Sequence, residues 1–187
     1  ICGFTRSGRH IGKRLHELAE EAGKPPEVFA YDLLLEEDGL QAFVFPWQVP
    51  EEEAATTVAT TARHPRMMVA SDGIYNIPHP HPRGNGCFAR VLGEFVRDRS
   101  LLTLEEAVYR MSAFPAERFR IPERGLIEKG RIADLVIFDP ATVAAQSTYE
   151  DPNQPPIGID DVIVNGEFVI ADGSPTGTMS GRVIRRK

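Results

Sequence analysis

The chain has 187 residues, 21 basic and 27 acidic, for a net charge of −6, with 42% hydrophobic and 26% charged side chains. That is enough chain to bury a core without disulfides, and the balance excludes a disordered or collagen-like polymer. Basic residues gather only in the short run at 182–187, so nucleic acid is not the expected partner.

The longest uncharged apolar-rich stretch, residues 40–50, holds eleven residues and two prolines. A bilayer span requires ~20 apolar residues, so no membrane crossing is expected. Cys2 and Cys87 are too few for a disulfide framework and fit a reducing compartment, which makes a cytoplasmic location the expectation. The first residue is Ile1 rather than Met, and the expectation is a piece of a longer chain.

In chain order, residues 10–22 place Ile11, Leu15, Leu18, Ala19 and Ala22 at helical spacing before Gly23, Pro25 and Pro26 stop the pattern. A second helix is expected over 26–37, with Gly39 as its stop. Residues 41–45 follow as a short buried strand. Residues 51–62 form a third helix with an acidic first turn, and 67–70 a further short strand that ends at Ser71-Asp72-Gly73. This helix, strand, helix, strand order implies parallel βα units.

Residues 74–85 contain Pro78, Pro80 and Pro82 and no apolar period, so they form a long loop that needs a functional or packing reason. Helical patterning resumes over 88–99 and 103–113, where Thr103 and Glu106 make a capping box. From Gly125 onward short strands are expected at 133–138, 161–164, 167–170 and 182–185, with Asn165-Gly166 as a two-residue hairpin turn.

Among candidate motifs, Gly84-x-Gly86-x-x-Ala89 has the spacing of a dinucleotide loop, but a proline-rich loop feeds it where that motif needs a strand. His79 and His81 have an HxH spacing that suits zinc on a strand. The intervening prolines favour a threefold spiral that turns the two rings to different sides, which argues against a shared metal. His10, His16 and His64 have no partner ligand at useful spacing. Asp72 follows a predicted strand of a parallel array, the edge where active sites gather, though an Asp-Gly pair equally makes a plain turn. Arg83, eleven residues later, offers a bidentate fork for an anion. No nucleophile elbow, Walker loop, HExxH or paired CxxC is present.

Several longer words coincide with one family: Val69-Ala-Ser-Asp72-Gly, His81-Pro-Arg-Gly84-x-Gly-x-Phe88, Arg90-Val-Leu-Gly93, and Leu104-Glu-Glu-Ala107. Further along stand Arg124-Gly-Leu-Ile, Ala133-Asp-Leu-Val-x-Phe-Asp139-Pro, Tyr149-x-Asp-Pro152 and Val162-x-Val-Asn-Gly166. Together they resemble the C-terminal part of the N-acyl-D-amino-acid deacylases, or D-aminoacylases, of the amidohydrolase superfamily. The likeness runs from about Gly12 to Arg186, and Cys87 departs from it where threonine is expected.

The resemblance implies an α/β chain made of the terminal βα units of a metal-dependent (β/α)8 barrel, residues 1–120, followed by C-terminal strands of a small β-sandwich, residues 121–187. A whole barrel needs ~250 residues, so the chain is expected to be a fragment. The implied activity is zinc-dependent cleavage of N-acyl-D-amino acids to a carboxylic acid and a D-amino acid. By this likeness Asp72 is the catalytic base and shares the metal with ligands outside this chain. Arg83 holds the substrate carboxylate, and His81 lines the substrate site beside it. Zinc is expected in the full-length enzyme and none in this chain alone, which is expected to be inactive and to self-associate through uncovered strand edges. The alternatives are a cyclic-amide hydrolase of the hydantoinase or dihydroorotase kind, and a noncatalytic stable module.

Overall fold

The computed structural model describes residues 2–5, 7–37, 42–44 and 51–185. The chain separates into two compact units whose segments interleave, Ile1–Pro50 with Ser71–Asn85 and Ser147–Pro155 in the first, and Glu51–Ala70 with Gly86–Gln146 and Pro156–Lys187 in the second.

In the first unit, strand β1 (Cys2–Thr5) pairs with β2 (Ala42–Val44), and between them lie helices α1 (Leu15–Glu21) and α2 (Pro26–Glu36). The helix expected from residue 10 begins only at Leu15, because His10 and Gly12 both take positive φ, 64° and 77°, and a right-handed helix cannot run through them. It ends where Gly23, at φ 64°, lets the Lys24 and Gly23 amides turn back to the carbonyls of Ala19 and Glu20. Pro26 then opens α2 at the first helical position, where a missing N–H costs nothing. Leu18, Ala19 and Leu33 are the apolar residues these helices bury.

The strand expected at 41–45 is present as β2, with Gln41 and Phe45 outside the described residues, as is Gly39. The parallel array expected from 41–45 and 67–70 has no second strand among the described residues, because 67–70 forms none. β2 pairs instead with β1, which the sequence pattern did not indicate; the two run antiparallel, with Phe4 opposite Phe43 and Thr5 opposite Ala42, since two helices packed on each other return the chain in the opposite sense. Beside them Glu37 is 2% exposed and accepts from the Ser7 amide (2.8 Å) and hydroxyl.

The second unit begins with α3 (Glu51–Arg63). Residues 67–70 were expected as a strand and form none. The Val69 amide bonds instead to the carbonyl of Arg110 (3.2 Å). Helix α4 (Arg83–Arg90), whose first three residues are counted with the first unit, runs on into a π-helical stretch, Val91–Asp98, and is followed by α5 (Leu104–Met111) and α6 (Ala113–Phe119). The capping box holds: the Glu106 amide donates to Thr103 Oγ1 (3.2 Å), and the Thr103 amide to Glu106 Oε2 (2.9 Å). The core joins Ala89, Val91, Leu92, Leu102, Ala107 and Val143, with Phe95, Phe138 and Ile159 around them. A methyl group at Gly93 would stand 2.6 Å from the Val143 carbonyl oxygen, so this position admits no side chain.

The tail forms a four-stranded antiparallel sheet in the order β3 (Leu135–Phe138), β4 (Ile159–Val164), β5 (Glu167–Ala171), β6 (Ser174–Pro175). Asn165 (φ 51°) and Gly166 (φ 85°) join β4 to β5 in the expected turn, both in the left-handed region that such a turn demands. Three of the family words meet at this turn. Arg124 pairs with Asp134 (Nε to Oδ2, 2.7 Å) and donates to Asn165 Oδ1, while Asp134 Oδ1 accepts from the Asn165 amide (2.8 Å). These words are therefore a structural latch. The strand expected at 182–185 is absent and the residues are exposed, since a strand needs a paired neighbour and β6 already completes the β5 edge. Among the described residues no helix is long and apolar enough to cross a membrane.

Candidate active site

Asp72, His81 and Arg83 all belong to the first unit, and the structure brings them together. Residues 71–82 form neither helix nor strand, and Asp72 takes φ 47°, a conformation that aspartate tolerates better than most residues. Arg83 does not lie in the loop as expected but is the first residue of α4. From there its guanidinium turns back on Asp72, with Nη2 2.6 Å from Oδ2 and Nε donating to the Asp72 carbonyl at 3.0 Å. One edge of the fork thus grips both the side chain and the main chain of the aspartate. Asp72 is 77% exposed and Arg83 36%, so solvent screens the pair, which contributes about 0–1 kcal/mol.

His81 holds the start of α4. Its Nδ1 accepts from the Arg83 amide (3.0 Å), and its carbonyl accepts from the Gly84 amide (3.1 Å), which satisfies two of the N–H groups that a helix start leaves unpaired. Gly84 and Gly86 lie inside this helix rather than in a loop before it, so the dinucleotide reading has no structural basis.

Two tyrosines missed at the level of residue chemistry shape this loop. Tyr75 Oη donates to the Gly84 carbonyl (3.0 Å), and its side chain lies so close to Gly73 and Gly84 that added methyl groups would stand 2.6 Å from the hydroxyl oxygen and 3.1 Å from the ring. Tyr149 approaches both histidines, its hydroxyl 2.9 Å from His81 Nε2 and its carbonyl 2.7 Å from His79 Nε2. The family word Tyr149-x-Asp-Pro152 was the available signal, but a contact across about seventy residues leaves no local trace. In the second unit, Cys87 Sγ lies 3.4 Å from the Ala70 carbonyl.

Zinc needs three or four protein ligands. Among the described residues no three His, Cys, Asp or Glu side chains stand close enough to hold a metal, and Asp72 offers a single carboxylate already paired with Arg83. The residues present do not by themselves fit a zinc ion. Of the other histidines, His64 Nδ1 accepts from the Arg66 amide (3.2 Å), and His10 meets the Phe29 ring edge-on.

Residues 31–170 of this helical chain with its antiparallel tail sheet match the amidohydrolase family, a class of hydrolases. The chain belongs to that family. It is 39% identical over 175 residues to a D-aminoacylase of Alcaligenes xylosoxydans xylosoxydans, covering 94% of this chain and 34% of that one. It is also similar to the crystal structure of a D-aminoacylase, with a TM-score of 0.86 and 37% identity over 100% of this chain and 37% of that one. An N-acyl-D-glutamate deacylase from Bordetella bronchiseptica, solved with zinc and a phosphonate mimic of the tetrahedral intermediate, gives a TM-score of 0.79 and 38% identity over 93% and 36%. The chain thus spans about a third of the length of these relatives, which bear out its resemblance to the N-acyl-D-amino-acid deacylases.

Proposed function

We propose that this chain is the C-terminal portion of a zinc-dependent deacylase that hydrolyses N-acyl-D-amino acids. It would carry the last barrel units to about residue 120 and the sandwich strands beyond. The observation that carries the reading is the Asp72–Arg83 pair, set in the words most similar to the D-aminoacylases. What supports zinc in the whole enzyme is the similar N-acyl-D-glutamate deacylase solved with zinc, and there Asp72 would share the metal with ligands outside this chain.

Within this chain, Asp72 serves as general base and then general acid: it takes a proton from the attacking water and returns it to the departing amide nitrogen. Its exposure leaves it reachable by water and substrate. Arg83 engages Asp72 through its Nε and Nη2 side, which leaves the Nη1–Nη2 edge to take the α-carboxylate of the substrate in a bidentate grip. One guanidinium then ties the base to the substrate carboxylate, and by fixing that carboxylate relative to the scissile amide it would contribute to selection of the D-configuration.

The test uses the whole enzyme that contains this chain. Asp72→Asn keeps the shape and removes the proton acceptor, so kcat should fall about 10²- to 10⁴-fold while metal content, held mainly by the other ligands, changes little. Arg83→Lys keeps the charge and loses the planar fork, so KM should rise and discrimination between D- and L-substrates should weaken. Near-normal turnover in Asp72→Asn would refute the assignment.

A further inference from the structure

We infer that Tyr149 is a positioning residue for substrate recognition, acting through His81 to set the guanidinium of Arg83. The inference rests on the reading of Arg83 given above. It starts from the hydrogen-bond network around His81. Nδ1 accepts the Arg83 amide proton (3.0 Å), so in the neutral ring the proton resides on Nε2. Nε2–H then points at Tyr149 Oη, 2.9 Å away, and the hydroxyl accepts it. The two rings meet edge to face, with centroids 5.0 Å apart at 74°.

The consequence follows along the chain of contacts. The Tyr149 hydroxyl selects the Nε2–H tautomer and the ring orientation of His81. That orientation presents the Nδ1 lone pair to the first amide of α4, which is the backbone N–H of Arg83 itself. A flipped or re-protonated imidazole would leave that amide without its acceptor and release the first residue of the helix.

Tyr149 is anchored at its other end as well. Its carbonyl accepts from His79 Nε2 (2.7 Å), and the His79 ring is backed by Gly12, where a methyl group would stand 3.2 Å from it. On either side, Ser147 Oγ donates to the Pro82 carbonyl (2.9 Å) and Asn85 Nδ2 to the Pro152 carbonyl (2.9 Å). The segment Ser147–Pro155 is thus stitched along both sides of Arg83. Pro78, Pro80 and Pro82 have no N–H to hold the loop by its own backbone. The histidine rings between them take over that work, and Tyr149 receives both. A bidentate grip tolerates little misplacement of the fork, so loosening this stitch should affect carboxylate recognition first.

The experiment again uses the whole enzyme, with Tyr149→Phe, Arg83→Lys, and His81→Asn, whose side-chain oxygen can cap the Arg83 amide without help from Tyr149. Tyr149→Phe keeps the ring and the carbonyl and deletes the hydroxyl that accepts His81 Nε2–H. KM for an N-acyl-D-amino acid should rise about three- to tenfold, the worth of one net hydrogen bond, with D-over-L preference reduced. Turnover of an N-acyl alkylamine, which has no carboxylate, should stay unchanged. In the His81→Asn background the same tyrosine change should have no further effect, because the coupling runs through the imidazole. Nitrogen-15 spectra of labelled histidine should show His81 as the Nε2–H tautomer in the parent and lose that signature in Tyr149→Phe.

A spectrum showing His81 protonated on Nδ1 in the parent overturns the inference whatever the activity. Equal losses on the carboxylate and alkylamine substrates also overturn it and make Tyr149 a general structural residue. If Arg83→Lys raises KM while Tyr149→Phe does not, the inference fails and the proposed function stands. If Arg83→Lys changes neither KM nor chirality, the proposed function fails and takes the recognition role of Tyr149 with it.

Discussion

The buried guanidinium of Arg110 offers a direct test of how the second unit is held together. Arg110 is 6% exposed and donates from Nη1 to the carbonyls of Ala62 (2.5 Å) and His64 (2.9 Å). These carbonyls lie at the end of α3, where the helix stops before Pro65 and its last C=O groups lose their intrahelical donors. The amide that a continued helix would send to Ala62 belongs to Arg66, and it bonds to His64 Nδ1 instead (3.2 Å). His64 O keeps a second donor in the Met67 amide (3.0 Å), so Ala62 O depends on Arg110 more than His64 O does. Arg110→Met fills similar space and strands the buried Ala62 carbonyl fully and the part-buried His64 carbonyl in part. At ~1–3 kcal/mol for an unsatisfied buried acceptor, less the relief of no longer burying a charge, the net loss should be about 1–3 kcal/mol. With a urea dependence of ~2 kcal/mol per molar, the unfolding midpoint of the chain, followed by far-ultraviolet circular dichroism, should drop by ~0.5–1.5 M. Arg110→Lys can still reach one carbonyl and should lose about half as much. An Arg110→Met protein within ~0.5 kcal/mol of the parent, the range of an ordinary surface change, would refute this account.

Two glycines separate backbone strain from steric exclusion. Gly166 (φ 85°) faces open space, so Gly166→Ala should cost about 1 kcal/mol for the left-handed conformation alone. Gly158 (φ 71°) would place its methyl group 2.5 Å from the Val143 amide nitrogen, so Gly158→Ala should cost ~2–4 kcal/mol; equal losses in a denaturation series would contradict this. Glu94 supplies a pH test. Burial pushes its carboxyl up, but hydrogen bonds from Arg90 and Arg99 outweigh this and hold it below the usual glutamate value. A depressed folded-state value means that the contribution is present at neutral pH and disappears as pH falls through that value. The gap in thermal midpoint between the parent and Glu94→Gln should therefore close on acidification from about pH 5 downward. A gap constant from pH 7 to pH 3 would argue against the two arginines as its source.

What could be read from the sequence alone were features whose cause lies within four or five residues. Thr103 and Glu106 make their box, Pro26 opens α2, Gly23 ends α1, and Asn165-Gly166 turns β4 into β5. In each case the residue that sets the backbone angle and the groups it satisfies are near neighbours. The family words singled out Asp72, His81 and Arg83 as candidates, but their arrangement could not be read from them: Arg83 opens α4 and folds back on Asp72, and His81 caps that helix from outside it. Strands fared unevenly because a strand is completed by its partner. β1 and β2 meet antiparallel across two helices, residues 67–70 give their amide to Arg110, and 182–185 find no ladder despite a suitable pattern. Arg124 with Asn165, Arg110 with Ala62, and Tyr149 with His79 and His81 are joined over forty to seventy residues. Tertiary structure alone decides such contacts, because their energy depends on which buried acceptors and donors the folded chain leaves facing one another, and no local propensity encodes that.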